Sequence, residues 1–275
     1  MSIYTIGDMS YYVEEAGSGE PVMLLHGFTG SSANWHPVME RLAGSFRVLA
    51  IDLIGHGRSD APTEIEQYAM PNIANDLGLL LRQLNAIPAH WLGYSMGGRL
   101  ALYMAVNHPQ WVRSLILESA SPGLQDAAER AARREQDEAL ANWIESEGIA
   151  SFVNQWEKIP LFASQEQLTA EARIALRAGR LANSAHGLAN SLRGMGTGIQ
   201  PSLWAQLDAI DKPTLLVAGE MDDKFVALNQ QMAEVIPDAT LRIANGAGHT
   251  VHLERTDEYA VWVLAFLKNI PRQQP

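Results

Sequence analysis

An α/β architecture, with a mostly parallel central sheet, flanking helices and an inserted helical cap, is predicted for this chain of 275 residues. Three observations lead there. Short, dense apolar runs alternate with stretches whose apolar residues recur every three or four positions, as buried strands joined by amphipathic helices do. One such run stops at Gly93-Tyr94-Ser95-Met96-Gly97, and a helix-favouring stretch, 100–106, follows at once. From residue 125 to about 195 the strand signal vanishes, and it returns at residue 214.

In order along the chain, residues 4–14 read as short antiparallel strands around Gly7-Asp8, followed by the turn Gly17-Ser18-Gly19. Strands come next at 22–25, 47–51, 90–92 and 115–117; their near-continuous hydrophobicity fits strands covered on both faces. Helical spacing places helices at 35–42, 73–84 and 99–106. Residues 125–195 are rich in Ala, Glu, Arg and Gln, punctuated by Gly148, Pro160 and Gly179. Strands resume at 214–218 and 240–243, and a last amphipathic helix covers about 257–268. An insertion that returns to the same sheet gives one core, residues 1–124 and 196–275, carrying a helical cap of residues 125–195. Residues 272–275 read as a frayed tail.

Composition narrows the function classes. With no cysteine, structural disulfides, thiolate catalysis and cysteine-based metal sites are excluded, and a reducing compartment is allowed. The longest uninterrupted apolar run, 260–267, is too short to span a bilayer, and the N-terminal residues lack a basic region before an apolar core; a cytoplasmic protein is expected. A net charge of -11 disfavours nucleic acid and acidic membranes as partners. Positive charge is unevenly placed, however. Arg130, Arg133, Arg134, Arg173, Arg177, Arg180 and Arg193 all fall in the cap, so an acidic chain still has the means to form a local basic pocket.

The chemistry centres on G-x-S-x-G. Five-residue patterns recur by chance, so the strand before and the helix after carry the weight. Glycines two residues either side of Ser95 let the backbone turn sharply, lifting the hydroxyl into a pocket and aiming the new helix's N-terminus at it. A serine hydroxyl is a poor nucleophile or base alone and needs an imidazole, held in turn by a carboxylate. Chain order on this architecture is Ser, then acid, then His. Asp222, in Gly219-Glu220-Met221-Asp222-Asp223 after a strand, is the expected acid, with Asp223 the competitor unless it caps the next helix. His249 is the expected base, because Gly248 lets its loop approach the turn at Ser95. The other histidines lack that strand-loop-helix setting. His26 and His56 sit in glycine-rich loops and read as backbone organisers, His90 lies in a strand, and His252 packs under the loop.

The backbone N–H groups of Phe28, in His26-Gly27-Phe28-Thr29-Gly30, and of Met96 are the expected oxyanion hole. The loop Asp52-Leu53-Ile54-Gly55-His56-Gly57-Arg58-Ser59 reads as structural, lining the pocket. No metal-ligand spacing or dinucleotide-type glycine pattern occurs, so no cofactor or metal is expected; protein partners and oligomeric state are not legible in the sequence.

Over nearly the whole chain these motifs resemble the α/β-hydrolase superfamily. More narrowly, they are similar to the family of menaquinone-pathway 2-succinyl-6-hydroxy-2,4-cyclohexadiene-1-carboxylate (SHCHC) synthases. The narrower likeness rests on residues 93–99, on Glu118-Ser119-Ala120-Ser121-Pro122-Gly123-Leu124, on Trp156 with Ile159-Pro160-Leu161-Phe162, on the string 187–198, and on Gly248-His249-Thr250-Val251-His252. The chain departs at Arg255-Thr256, where many relatives carry a proline; that touches a helix start and no catalytic role.

The resemblance implies a lyase that abstracts a proton with the Ser95/His249/Asp222 relay and expels pyruvate from a small polycarboxylate cyclohexene, leaving a conjugated diene without an acyl-enzyme. It also implies that Arg99, Arg133 and Arg180 anchor substrate carboxylates and that Tyr94 and Trp156 shape the pocket, guanidinium groups being suited to two-pronged grips on carboxylates. The residues alone support these assignments unequally. A cation at the start of a helix, as at Arg99, opposes the helix dipole and so asks for a buried or functional partner. Arg173, Arg177 and Arg180 recur at helical spacing among glutamates, as on any solvated face. Arg134 and Arg177 stay open as substitutes, one position or one turn away. The alternative activities are ester or thioester hydrolysis and carbon-carbon bond hydrolysis with the same groups, or a non-catalytic ligand receptor. A haloalkane dehalogenase is disfavoured, because Ser95 stands where that chemistry uses an aspartate.

Overall fold

The computed structural model describes residues 1–271; the tail expected at 272–275 lies outside the described residues. Two antiparallel strands, β1 (Ser2–Ile6) and β2 (Met9–Gly17), open the chain, with Gly7 taking the left-handed conformation (φ +57°) in the two-residue turn between them. They are followed by β3 (Pro21–Leu25), β4 (Arg47–Ile51), β5 (Ala89–Tyr94), β6 (Val112–Glu118), β7 (Thr214–Gly219) and β8 (Ala239–Ala244). The strands form one sheet in the order β1-β2-β4-β3-β5-β6-β7-β8. Only the β1/β2 and β2/β4 pairs run antiparallel.

Burial follows from position in the sheet. The interior strands β5 and β7 are buried at almost every residue, because helices cover both faces. Edge strand β8 alternates between exposed and half-buried residues, as a strand with one neighbour does. Helices α1 (His36–Leu42), α2 (Met70–Gln83) and α3 (Met96–Asn107) follow β3, β4 and β5 respectively. Leu77, Leu81, Leu100 and Met104 of α2 and α3 pack on one face of the sheet. On the other, Val38 and Leu42 of α1 meet Tyr259, Val263 and Leu267 from near the C-terminus.

Between β6 and β7 the described residues hold helices and no strand: α4 (Ala127–Trp156), a 3-10 stretch Pro160–Gln167, α5 (Ala170–Leu181) and α6 (Ala185–Met195). Asp126, Thr169 and Ser184 cap α4, α5 and α6 by accepting the backbone N–H groups of Glu129, Ala172 and Gly187. Gly148 breaks α4 in two, with φ +79° and ψ 167°. The pieces hold a small core of their own, built from Ile144, Phe152, Val153, Leu188 and Leu192. The chain then closes with α7 (Asp223–Val235), α8 (Val251–Glu254) and α9 (Thr256–Asn269).

The structure differs from the sequence reading mainly at boundaries. Helices α2 and α3 each begin three residues before the periodic signal, since the first turn of a helix sits outside the core and carries no apolar pattern. The 3-10 turns at Ser32–Trp35, Ile65–Tyr68 and Trp204–Ala209 were not anticipated, being too short to show a period. No helix among the described residues is long and apolar enough to cross a membrane.

Candidate active site

The carboxyl ends of β5, β7 and β8 converge at one point above the sheet. Ser95 joins β5 to α3 with φ +50° and ψ −107°, a conformation that costs a non-glycine residue about 1–3 kcal/mol and is held by its surroundings. The surroundings are visible. A side chain at Gly93 would overlap the Gly97 backbone, and one at Gly97 would overlap the Leu25 carbonyl at the end of β3. The Ser95 N–H donates to the Glu118 carbonyl at 2.8 Å, tying the turn to β6. Two small residues therefore let the strand, the helix and a neighbouring strand end meet with the serine on top.

His249 sits in the loop after β8. The Glu254 carboxylate accepts the N–H groups of Gly248 (2.7 Å) and Thr250 (3.1 Å), clamping the backbone on both sides of the histidine. Its ring lies between acid and serine: Nδ1 is 2.6 Å from Asp222 Oδ2, and Nε2 is 3.1 Å from Ser95 Oγ. With Nδ1–H donating to the carboxylate, Nε2 is left to accept the serine proton.

Asp222 follows β7 and occupies the N-cap position of α7 by its backbone, yet its side chain makes no capping bond and reaches His249 instead. Asp223, the expected N-cap, is the first residue of the helix and is exposed. The helix starts one residue earlier than anticipated, and a carboxylate there still complements the dipole.

A cavity of about 310 Å³ opens beside Ser95 and His249. Phe28 and Met96 both line it, and among the described residues neither backbone N–H has a protein acceptor. Trp156 and Phe28 meet edge to face at 5.5 Å along its wall. Tyr94 lines it too, its phenol pushed well above the usual tyrosine range by burial and so protonated at neutral pH.

The three arginines take different positions. Arg99 is buried at the cavity wall, donating to the Met195 carbonyl at 2.8 Å and to Gln200 Oε1 at 3.1 Å. Burial, with Arg133 nearby, lowers its pKa to about 10, which leaves it charged at neutral pH. Arg133 lines the same cavity, half-exposed, and donates to Asp137 at 2.7 Å. Arg180 lines a separate recess of about 30 Å³ that shares Phe28, Tyr94 and Phe162 with the cavity. Its NH2 donates to Gln165 Oε1 at 2.9 Å, and its buried Nε has no partner among the described residues. Of the two substitutes, Arg134 borders a surface groove and Arg177 pairs with Glu157 at 2.5 Å; neither lines the cavity.

One expectation is corrected. None of residues 52–59 lines the cavity. The loop lies behind Phe28, whose ring meets His56 edge-on at 5.9 Å, and its Gly55 packs so closely on Gly187 of α6 that neither has room for a side chain. His56 and His26 organise backbone there: the His26 ring accepts the Leu53 N–H at 3.0 Å. Lys224, at the cavity edge, was missed. Like Arg99 it is a cation in the first turn of a helix, and that mismatch with the dipole was the available signal. No group of three His, Asp or Glu side chains able to hold a metal ion occurs among the described residues.

Comparison with known proteins shows the family. A family model described as alpha/beta hydrolase fold matches residues 20–256. A putative 2-succinyl-6-hydroxy-2,4-cyclohexadiene-1-carboxylate synthase from Bacillus subtilis is 44% identical over 97% of this chain and 98% of that protein. The 2-succinyl-6-hydroxy-2,4-cyclohexadiene-1-carboxylate synthase of Salmonella paratyphi A is 36% identical over 85% of this chain and 88% of its own length. The solved structure of MenH from S. aureus aligns with a TM-score of 0.89 at 40% identity, covering 94% of this chain and 97% of that one.

Proposed function

We infer that this chain, which belongs to the α/β-hydrolase fold family and within it to the SHCHC synthases, is a carbon-oxygen lyase of menaquinone biosynthesis. It eliminates pyruvate from 2-succinyl-5-enolpyruvyl-6-hydroxy-3-cyclohexene-1-carboxylate to give SHCHC. His249, oriented by Asp222, takes the Ser95 proton as Ser95 Oγ removes a ring proton from the substrate. The electrons left behind form a ring double bond beside the carbon that lost the proton, the original ring double bond shifts by one position, the ring carbon-oxygen bond breaks, and the departing enolpyruvate takes up a proton to become pyruvate. No acyl-enzyme is formed.

The observation that carries this reading is the chain of contacts Asp222–His249–Ser95, at 2.6 and 3.1 Å, opening onto a cavity flanked by cations. The Phe28 and Met96 N–H groups are suited to charge developing on a substrate carboxylate or enolate. Arg99, Arg133 and Arg180 serve as carboxylate anchors, with Tyr94 and Trp156 shaping the space between them. The cap, residues 125–195, acts as a lid on the core and supplies two of those arginines. A cytoplasmic location agrees with a cysteine-free chain and with bacterial biosynthetic relatives.

Ester hydrolysis is the competing chemistry for the same groups. One assay separates them: pyruvate release and diene absorbance are followed with the enolpyruvyl substrate, beside hydrolysis of a chromogenic ester. Elimination should dominate; efficient ester turnover without pyruvate release would replace the lyase reading with an esterase.

A further inference from the structure

Arg99 and Arg180 are the two buried arginines among the described residues, and neither lies within salt-bridge distance of a carboxylate there. Of the other described arginines, Arg41 pairs with Asp257, Arg47 with Glu15, Arg113 with Glu20, Arg133 with Asp137, Arg177 with Glu157 and Arg193 with Glu138, and the rest are exposed or half-buried, where water offsets the charge. A buried guanidinium without a countercharge is costly, so what stands in the place of the carboxylate matters. In both cases it is a buried glutamine. Gln165 Oε1 accepts from Arg180 at 2.9 Å, and Gln200 Oε1 accepts from Arg99 at 3.1 Å.

Both amides are fixed at their other end as well. Gln165 Nε2 donates to Thr250 Oγ1 at 2.8 Å, and Gln200 Nε2 donates to the Ser121 carbonyl at 3.0 Å. A guanidinium only donates and the Ser121 carbonyl only accepts, so each amide oxygen faces its arginine. The side chains come from unrelated segments, the 3-10 stretch of the cap and the return to the core, yet make the same construction. A glutamate in either place would accept from the arginine equally well and would cancel its charge, but it would have no N–H for the second partner.

We propose that Gln165 and Gln200 are specificity-determining residues: neutral holders that orient Arg180 and Arg99 while leaving both positive charges uncompensated for an anionic substrate. The inference rests on the proposed function and deepens it, by naming what keeps the site cationic inside a chain of net charge -11. Arg180 lines a recess of about 30 Å³ that shares Phe28, Tyr94 and Phe162 with the cavity, and its Nε still lacks a partner among the described residues, so the guanidinium retains unused donor capacity beside the site. Burial lowers the pKa of both arginines, and Arg99, at about 10, stays charged at neutral pH.

The test compares Gln165→Glu and Gln200→Glu with Gln165→Met and Gln200→Met. The readouts are KM for the enolpyruvyl substrate and the Kd of citrate, a simple tricarboxylate, by titration calorimetry. Glutamate keeps the bond from the arginine and removes the net charge, and at 165 the Thr250 hydroxyl can turn to donate to it, whereas at 200 it sets an oxygen against the Ser121 carbonyl; methionine loses the bond and keeps the charge. The expected result is a rise of about tenfold or more in both constants for the glutamate variants, with smaller rises for the methionine variants. Methionine variants as impaired as the glutamate ones, or more so, would show a purely structural role and overturn the proposal. So would wild-type protein with no affinity for either anion.

Thermal melts identify any variant that fails to fold, and the Gln165 pair decides the outcome, because there the Thr250 hydroxyl can satisfy the glutamate while the Ser121 carbonyl beside Gln200 cannot. Wild-type protein that binds citrate but releases no pyruvate would defeat the lyase reading alone, and the citrate comparison would still decide this one.

Discussion

His252 and Glu118 form a fully buried pair beneath the active site: the histidine Nδ1 lies 2.9 Å from both carboxylate oxygens, and its backbone N–H donates to Oε1 at 3.0 Å. Trp35 stacks on the imidazole at 4.3 Å, and Tyr94 stands between this ring and His249. Since the Glu118 carbonyl also accepts the Ser95 N–H, one residue ties the serine turn to the histidine loop. His252→Leu strands a carboxylate in the interior. It should lower stability by about 3–5 kcal/mol, read as a shift in urea midpoint at unchanged slope; a loss under about 1 kcal/mol would mean the pair is not a structural tie.

Ser95→Ala and His249→Ala should each lower kcat by about three orders of magnitude or more in a folded protein, because the two act as a unit. Asp222→Asn should cost about as much by presenting the wrong imidazole tautomer. Asp223→Asn, at an exposed position in the first turn of α7, should stay within about threefold of wild type. Steady-state kinetics on the four variants checks the assignment, and a large effect at 223 with little at 222 would reverse it.

Among the arginines, Arg180→Ala and Arg99→Ala should raise KM for the tricarboxylate by about tenfold or more, as each removes an uncompensated cation. Arg133→Ala should do less, since Asp137 already shares its charge. A neutral chromogenic ester is the control, and an equal rise in its KM would argue against carboxylate anchoring.

Stability should fall in acid for a reason visible in the interior. Burial pushes the imidazole of His26 down to about 4 and those of His56 and His90 to about 3. Unfolded histidines titrate near 6.5, so between roughly pH 6.5 and pH 3 the unfolded chain binds more protons than the folded one. The stability present above pH 6.5 is therefore lost as pH drops, at about 1.4 kcal/mol per pH unit for each histidine in that window. Urea midpoints measured from pH 7 to pH 5 should decline, and His90→Leu should flatten the slope. An identical slope in that variant would remove His90 from the account.

Local sequence carried the serine turn, because its requirement is local: small residues at 93 and 97 and a strand-to-helix change are legible without knowing what lies nearby. The strand order past β3 was legible only as alternation. Which strand end meets which depends on crossovers between segments tens of residues apart. Residues 52–59 illustrate the limit, since a glycine-rich loop at a strand end looks pocket-lining until Phe28 and α6 are seen to stand in front of it. Gln165 and Gln200 were invisible for the same reason: nothing in their neighbours along the chain marks them as partners of buried arginines.

Residue order by itself determined the α/β class, the helical insertion and the Ser95, Asp222 and His249 candidates, because periodicity, glycine placement and strand-loop-helix context are properties of short segments. Tertiary structure alone decided that Asp222 rather than Asp223 reaches the imidazole, that Arg133 rather than Arg134 faces the cavity, and that Arg99 and Arg180 lie buried without a countercharge. Those outcomes turn on one residue of register or on contacts between distant segments, and side-chain direction at that scale is fixed by packing rather than by spacing.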